Sequence, residues 1–110
     1  MSKEKTQFRC IPQNRVINEY SPFGQKHTYV ASHPMKAMLE EGYFVGEKNV
    51  FLPGDSLRVV QVKDPNIHSR GNKVVAFVDL LVTEITKNGP KFYGTDSVNE
   101  VVKPRVAQNG

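Results

Sequence analysis

Val74-Val75-Ala76-Phe77-Val78-Asp79-Leu80-Leu81-Val82-Thr83-Glu84-Ile85 is the longest apolar-rich stretch of the chain, and its reading decides the fold. It is rich in β-branched residues, which favour a pleated strand. Successive side chains of a strand point to opposite faces, so Val75, Phe77, Leu81 and Ile85 share one face while Val74, Ala76, Val78, Leu80 and Val82 share the other. Both faces are therefore apolar for most of its length. Such a strand is central in a sandwich, covered by a partner, or bent so that it serves two sheets; a central strand with a bend is the expectation taken forward.

Upstream, Leu57-Arg58-Val59-Val60-Gln61-Val62 reads as a second strong strand. Seven prolines and eight glycines cut the remainder into short segments rich in Val, Phe, Tyr, Thr or Ile. The strands expected are 7–11, 15–20, 27–32, 43–45, 50–52, 56–63, 73–86, 91–93 and 98–102. Pro53-Gly54-Asp55 and Asn88-Gly89-Pro90 supply turns, because proline fixes φ and glycine accepts a positive one. Residues 64–72 are too long for a minimal hairpin and should form an exposed loop presenting Ile67, His68 and Arg70. One helix is expected over about 34–41: Pro34 suits a helix start, Met35, Met38 and Leu39 fall at helical spacing, and Gly42 stops it. Glu40 and Glu41 oppose the dipole at its end and should limit it to about two turns. The fold expected is all-β, a jelly-roll-like β-sandwich or small barrel with one short helix and extended basic termini.

At 110 residues the chain has room for one domain, and 38% hydrophobic with 24% charged residues is a globular composition. The net charge of +4 sits at the ends. Lys3, Lys5, Arg9 and Arg15 against Glu4 leave residues 1–15 at +3, Lys103 and Arg105 leave 103–110 at +2, and 16–102 sums to −1. The organisation expected is a basic arm over 1–14, a β-domain over 15–102 and a basic tail over 103–110. A nearly neutral body with basic ends suits arms reaching an acidic neighbour better than a nucleic-acid-binding face. No apolar run approaches the ~18 residues of a membrane-spanning helix, and no apolar segment follows the first residues as in a signal peptide. The expectation is a soluble chain that is not secreted and meets no membrane.

Catalytic signatures are missing. The sequence contains no G-x-S-x-G, H-E-x-x-H, Walker loop or G-x-G-x-x-G. His27, His33 and His68 match no metal-ligand spacing and read as a strand-start, a pre-helix and a loop residue. Asp55 reads as a turn residue, and Asp79 as a strand-bend residue or a partner for Arg58. The single Cys10 reads as a small buried strand residue rather than a reactive thiol. No enzyme, no cofactor and no metal are expected. Binding of single strands on a small β-barrel, the alternative function, would need aromatic and basic residues interleaved on one face. Lys91-Phe92-Tyr93 with Lys87 is the nearest candidate, and it is short.

Phe8-Arg9-Cys10-Ile11-Pro12 with Asn14, Tyr20-Ser21-Pro22-Phe23-Gly24, Gly42-Tyr43-Phe44 and Leu52-Pro53-Gly54-Asp55-Ser56-Leu57-Arg58-Val59-Val60, in that order, resemble small virion proteins of short-tailed phages. The family suggested is the stapling, or cement, decoration proteins of epsilon-fifteen-like podoviruses. The resemblance implies a jelly-roll-like domain made in the host cytoplasm and placed in the virion, on the outer surface of the icosahedral shell. There it would bridge subunits of the major capsid protein; an apolar strand face left open would instead suit pairing with a second copy. It transfers no individual contact residue. The partner-binding residues expected from position are Lys3, Lys5, Arg9, Arg15, Ile67, His68, Arg70, Lys103 and Arg105.

Overall fold

In a computed structural model the protein is described over residues 8–20, 23–47 and 49–101, except for the side chains of 17–20. The fold is all-β. Its strands are β1 (Arg15–Tyr20), β2 (Gln25–Ala31), β3 (Ser56–Val62), β4 (Val74–Thr86), β5 (Gly89–Tyr93) and β6 (Asn99–Glu100). They form one open mixed sheet in the order β1-β2-β3-β4-β5, with β6 also on β4. β2 and β3 run parallel, and the other pairs are antiparallel.

β4 is long because it has neighbours on both edges. Residues 74–81 pair β3, and the ladder continues as Gly54 N–H donates to Val82 O at 2.9 Å and Val82 N–H to Asp55 O at 2.8 Å. On the other edge Ala76 and Phe77 meet β6, while Leu81 to Thr86 meet β5 with a bulge between Val82 and Glu84. A bulge bends a strand, as the sequence led one to expect. The hairpin to β5 turns on Lys87-Asn88, and Gly89 and Pro90 already belong to β5.

The two faces of β4 have different fates. Ala76, Val78, Leu80 and Val82 are buried, alongside Tyr29, Ala31, Leu57 and Val59 of the neighbouring strands. What covers them is the irregular connection 32–55, which carries Met35, Met38, Tyr43, Phe44 and Phe51 into the core. Segments 7–11, 43–45 and 50–52, needed as strands for a second sheet, are not strands in the described residues: 41–44 is a turn, Val45–Glu47 a 3-10 turn, and 8–11 irregular. The layer facing the sheet is thus aromatic side chains on turns, where the expected sandwich or barrel would have had strands. Physically, Pro34, Gly42, Gly46 and Pro53 interrupt any ladder there, while edge-on contacts such as Tyr43–Phe44 at 4.9 Å and Phe44–Phe51 at 5.8 Å bury the rings without one.

The helix, α1 (Met35–Met38), is one turn rather than two, with Pro34 as its N-cap. Leu39 already leaves helical geometry, and Tyr43 N–H closes a new turn on Glu40 O at 3.1 Å. Met35 and Met38 are buried, as packing residues.

Candidate binding face

The sheet's other face is ordered by register. Lys26, Ser56 and Leu81 stand opposite one another in one row, Thr28, Arg58 and Asp79 in the next, and Val30, Val60 and Phe77 in the third. Val30, Val60 and Phe77 are half-buried, Leu81 is exposed, and no second layer among the described residues covers them. Arg58 donates from Nε and Nη2 to the two carboxylate oxygens of Asp79 at 2.8 and 3.1 Å, and its guanidinium lies 5.5 Å from the centre of the Phe77 ring. Hydrogen bonding from Arg58 holds the Asp79 carboxyl below its usual range against the push from burial, and the Arg58 charge adds a smaller pull in the same direction as the hydrogen bond. Both side chains are more than half exposed, so the pair contributes about 0–1 kcal/mol to stability. Its effect is geometric: a fork-on-carboxylate pair is planar and fixed.

The loop between β3 and β4 is built rather than loose. Asn72 Oδ1 accepts from Asp64 N–H at 2.8 Å, and Asn72 Nδ2 donates to Asp64 O at 3.0 Å and to Asn66 O at 3.2 Å. Asp64 and Asn66 carboxyl and amide oxygens then accept from Asn66 N–H and His68 N–H at 2.9 and 3.2 Å. These local bonds are what Asn and Asp supply in turns. They present His68 and Arg70 exposed and Ile67 half-buried, on the loop where they were expected.

Of the remaining expected residues only Arg9 and Arg15 are described, and neither joins the loop. Lys3, Lys5, Lys103 and Arg105 lie outside the described residues. Arg9 is exposed and turns its Nη1 back to Phe8 O at 3.4 Å. Arg15, expected as an arm cation, is mostly covered: its Nη2 pairs with Glu47 at 3.1 Å and its guanidinium lies 5.6 Å from the Phe51 ring centre. It serves the fold, because counting charge along the chain cannot see that β1 brings it over the core. Phe8 and Cys10 also pack against that core, so the expected arm is attached to the body from residue 8 on. Of the aromatic-basic trio on β5, Phe92 turns inward to Phe44 and Phe51, and Lys91 reaches Glu84 at 3.7 Å, leaving Tyr93 exposed.

Two interior polar clusters were missed. His27 Nε2 donates to Asp55 Oδ2 at 3.0 Å, and the same carboxylate accepts from Gln25 N–H at 3.0 Å and Leu52 N–H at 3.1 Å. Burial pushes the Asp55 carboxyl up, but those three donors together draw it below its usual value. His27 and Asp55 are both buried, and His27 Nδ1 has no partner among the described residues; the pair ties turn to strand. The alternation His27, Tyr29, Ala31 on one face was the signal that could have found it. The second cluster links His33, Tyr43 and Tyr29. Next to it, burial and then the Glu47 charge push the Cys10 thiol up to about 12, which removes its thiolate at neutral pH. Cys10, expected as a buried strand residue, is half-buried against the core and lies outside any strand. Comparison of the chain with protein-family models, with curated proteins and with solved structures found no match.

Proposed function

We propose that the chain is a structural binding module, a cement protein that docks on the outer surface of an icosahedral shell and bridges neighbouring capsid subunits. The observation that carries this reading is the second apolar face of β4 and its neighbours. Val30, Val60 and Phe77 form one apolar row, and Leu81 lies beyond the row of Thr28, Arg58 and Asp79, so the face offers apolar contacts on both sides of a geometrically fixed ion pair. The loop supports it, since a hydrogen-bonded scaffold presents Ile67, His68 and Arg70 with little ordering left to lose on contact. Basic residues near both ends add attraction to an acidic shell. Many copies on one shell then bind by multivalency even where a single contact is weak.

Co-sedimentation with empty shells lacking this protein, beside bare nucleic acid at the same salt, tests the reading. Saturable binding to shells, weakened about ten-fold or more by Leu81→Glu, is expected from placing a charge where the partner covers an exposed apolar side chain of this face. Binding to nucleic acid alone overturns the function, and shell binding untouched by Leu81→Glu overturns the assignment of this face.

A further inference from the structure

A groove lies between the turn that follows α1 and the edge strand β5, lined by Leu39, Glu40, Glu41, Phe44, Pro90 and Phe92. Its apolar part is firmly packed: Phe44 meets Phe92 edge-on at 5.7 Å, and Gly89 sits so close to Val45 that a Cβ there would stand 3.1 Å from the Val45 Cα. Asn88 Nδ2 donates to Glu41 Oε2 at 2.9 Å and ties the two sides together. Both glutamates are exposed, and neither has an ion pair among the described residues. Lys91, which also lines the groove, reaches Glu84 at 3.7 Å instead. The groove therefore offers apolar contact beside uncompensated negative charge, which suits an extended segment with apolar residues on one side and cations on the other.

Such a segment stands at the end of this chain. In an extended backbone alternate residues share a side, so Lys103 and Arg105 share one side of Val102-Lys103-Pro104-Arg105-Val106, and Val102, Pro104 and Val106 share the other. Pro104 biases the residue before it to that extended form, and residues 103–110 hold no acid to oppose the contact. The other basic end lacks the pattern, since Ser2, Glu4 and Thr6 alternate with Lys3 and Lys5. Residues 102–110 lie outside the described residues, but their point of departure is described. Val101 N–H donates to Val75 O at 2.8 Å, whereas β5 residues Phe92, Lys91 and Pro90 pair with Val82, Glu84 and Ile85. Val75 and the stretch from Val82 to Ile85 are separated along β4 by roughly 23–34 Å, and Glu41 lies farther still, beside Asn88. Arg105 is carried only about 14 Å past Val101 at full extension, and its side chain adds roughly 7 Å. The tail therefore does not reach its own groove. We propose that segment 102–106 of one copy docks in the groove between the turn 39–42 and β5 of a second copy, with Lys103 and Arg105 beside Glu40 and Glu41 and the apolar residues against Leu39, Pro90 and Phe92. The contact joins unlike surfaces, so two copies exchange tails or several form a row. It uses neither the sheet face nor the loop 64–72 and is independent of what they bind.

A synthetic peptide of residues 101–110, titrated at low salt into the dilute, isotope-labelled full chain, tests the site by NMR. Saturable amide shifts confined to 38–45 and 88–95 are expected, with affinity at least about five-fold lower for the peptide carrying Lys103→Glu and Arg105→Glu. A peptide of residues 1–7 should bind no better than that variant. Sedimentation of the full chain over rising concentration tests the exchange. The unmodified chain should associate, and less so as salt is added. Chains with Glu40→Lys, Glu41 being left to hold Asn88, or with Lys103→Glu and Arg105→Glu should each stay monomeric. A mixture of the two variants should associate again, because the tail of each meets a complementary groove on the other. Leu81→Glu, on the sheet face, should leave the association unchanged. Peptide shifts outside the groove, equal binding of the charge-reversed or the 1–7 peptide, an unmodified chain that stays monomeric, association indifferent to the charge reversals, or a mixture that stays monomeric overturns the proposal. Should either variant chain fail to fold, the peptide titration on the unmodified chain decides alone.

Discussion

Removing the Asp55 carboxylate should unfasten the turn over residues 52–55 from the start of β2. Three donors converge on it, at 3.0 Å from Gln25 N–H, 3.1 Å from Leu52 N–H and 3.0 Å from His27 Nε2, and it is only 4% exposed. Hydrogen bonds to a charged acceptor are each worth about 1.5–3 kcal/mol, and donors left buried without a partner lose about as much. The Gln25 and Leu52 amides are only partly buried and regain water, so Asp55→Ala should cost about 3–5 kcal/mol rather than the full sum. Asp55→Asn keeps one acceptor oxygen and should cost roughly half of that. The pH dependence has a definite sign. The folded carboxyl titrates below its ordinary 3.8, so its contribution is complete above that value and is lost as pH falls through the lower folded value. Denaturant unfolding at neutral pH gives the two costs. Repeating it at steps below pH 4 should show a shallower acid loss for Asp55→Asn than for the unmodified chain, since only the latter retains that carboxyl. A cost under about 1 kcal/mol for Asp55→Ala, or an unchanged acid slope in Asp55→Asn, would refute the assignment of Asp55 as a convergent acceptor.

Gly24→Ala should destabilise by about 1–3 kcal/mol or prevent folding, because a Cβ there would stand 2.6 Å from Gly54 O and 2.9 Å from Asp55 Oδ1; thermal unfolding reads it. Cys10 should alkylate at least about a hundred-fold more slowly in the folded chain than in denaturant at pH 8, following the loss of thiolate; equal rates would show that its burial is absent in solution. A double-mutant cycle on Arg58→Ala and Asp79→Ala should return a coupling of only about 0.2–1 kcal/mol, for a pair more than half exposed. Asn72→Ala should speed amide exchange at Asp64 and across the loop by about ten-fold, as expected from losing a bond of about 1 kcal/mol or more, while β3 and β4 keep their protection.

The strands β3 and β4 were legible because period-two patterning and the turn at Pro53-Gly54-Asp55 fixed them locally. The pairing of Arg58 with Asp79 was legible for the same reason, as two charges at the same depth of adjacent strands. What covers the core was not. The connection 32–55 has no repeating pattern; Tyr43, Phe44 and Phe51 reach the core from turns, and burial of that kind leaves no period in a sequence. The parallel pairing of β2 with β3 likewise depends on that long connection and not on either strand. Charge counted along the chain placed Arg15 in an arm, whereas its position opposite Tyr29 in β1 sets it against Glu47 and Phe51. His27 was read as a strand-start residue although its alternation with Tyr29 and Ala31 put it on the core face. Its partner is a turn residue 28 positions away, and no local signal joins them.

The two faces of β4 looked equivalent in sequence, and covering only one of them changes what the other means. A strand needs one apolar face to hold a sheet to its core; Thr or Lys on the other would keep the strand and protect against association. Here Val75 packs against the core, while the second face keeps Phe77 and Leu81 and registers Phe77 with Val60 and Val60 with Val30. Those side chains add little to a core on the far side of the sheet, and apolar surface left open is a liability for a chain that stays alone. Among the described residues the layer that buries the first face is irregular and confined to it. The row of Val30, Val60 and Phe77 is what the proposed partner would cover, and this is why the binding proposal rests on that face more than on the basic ends.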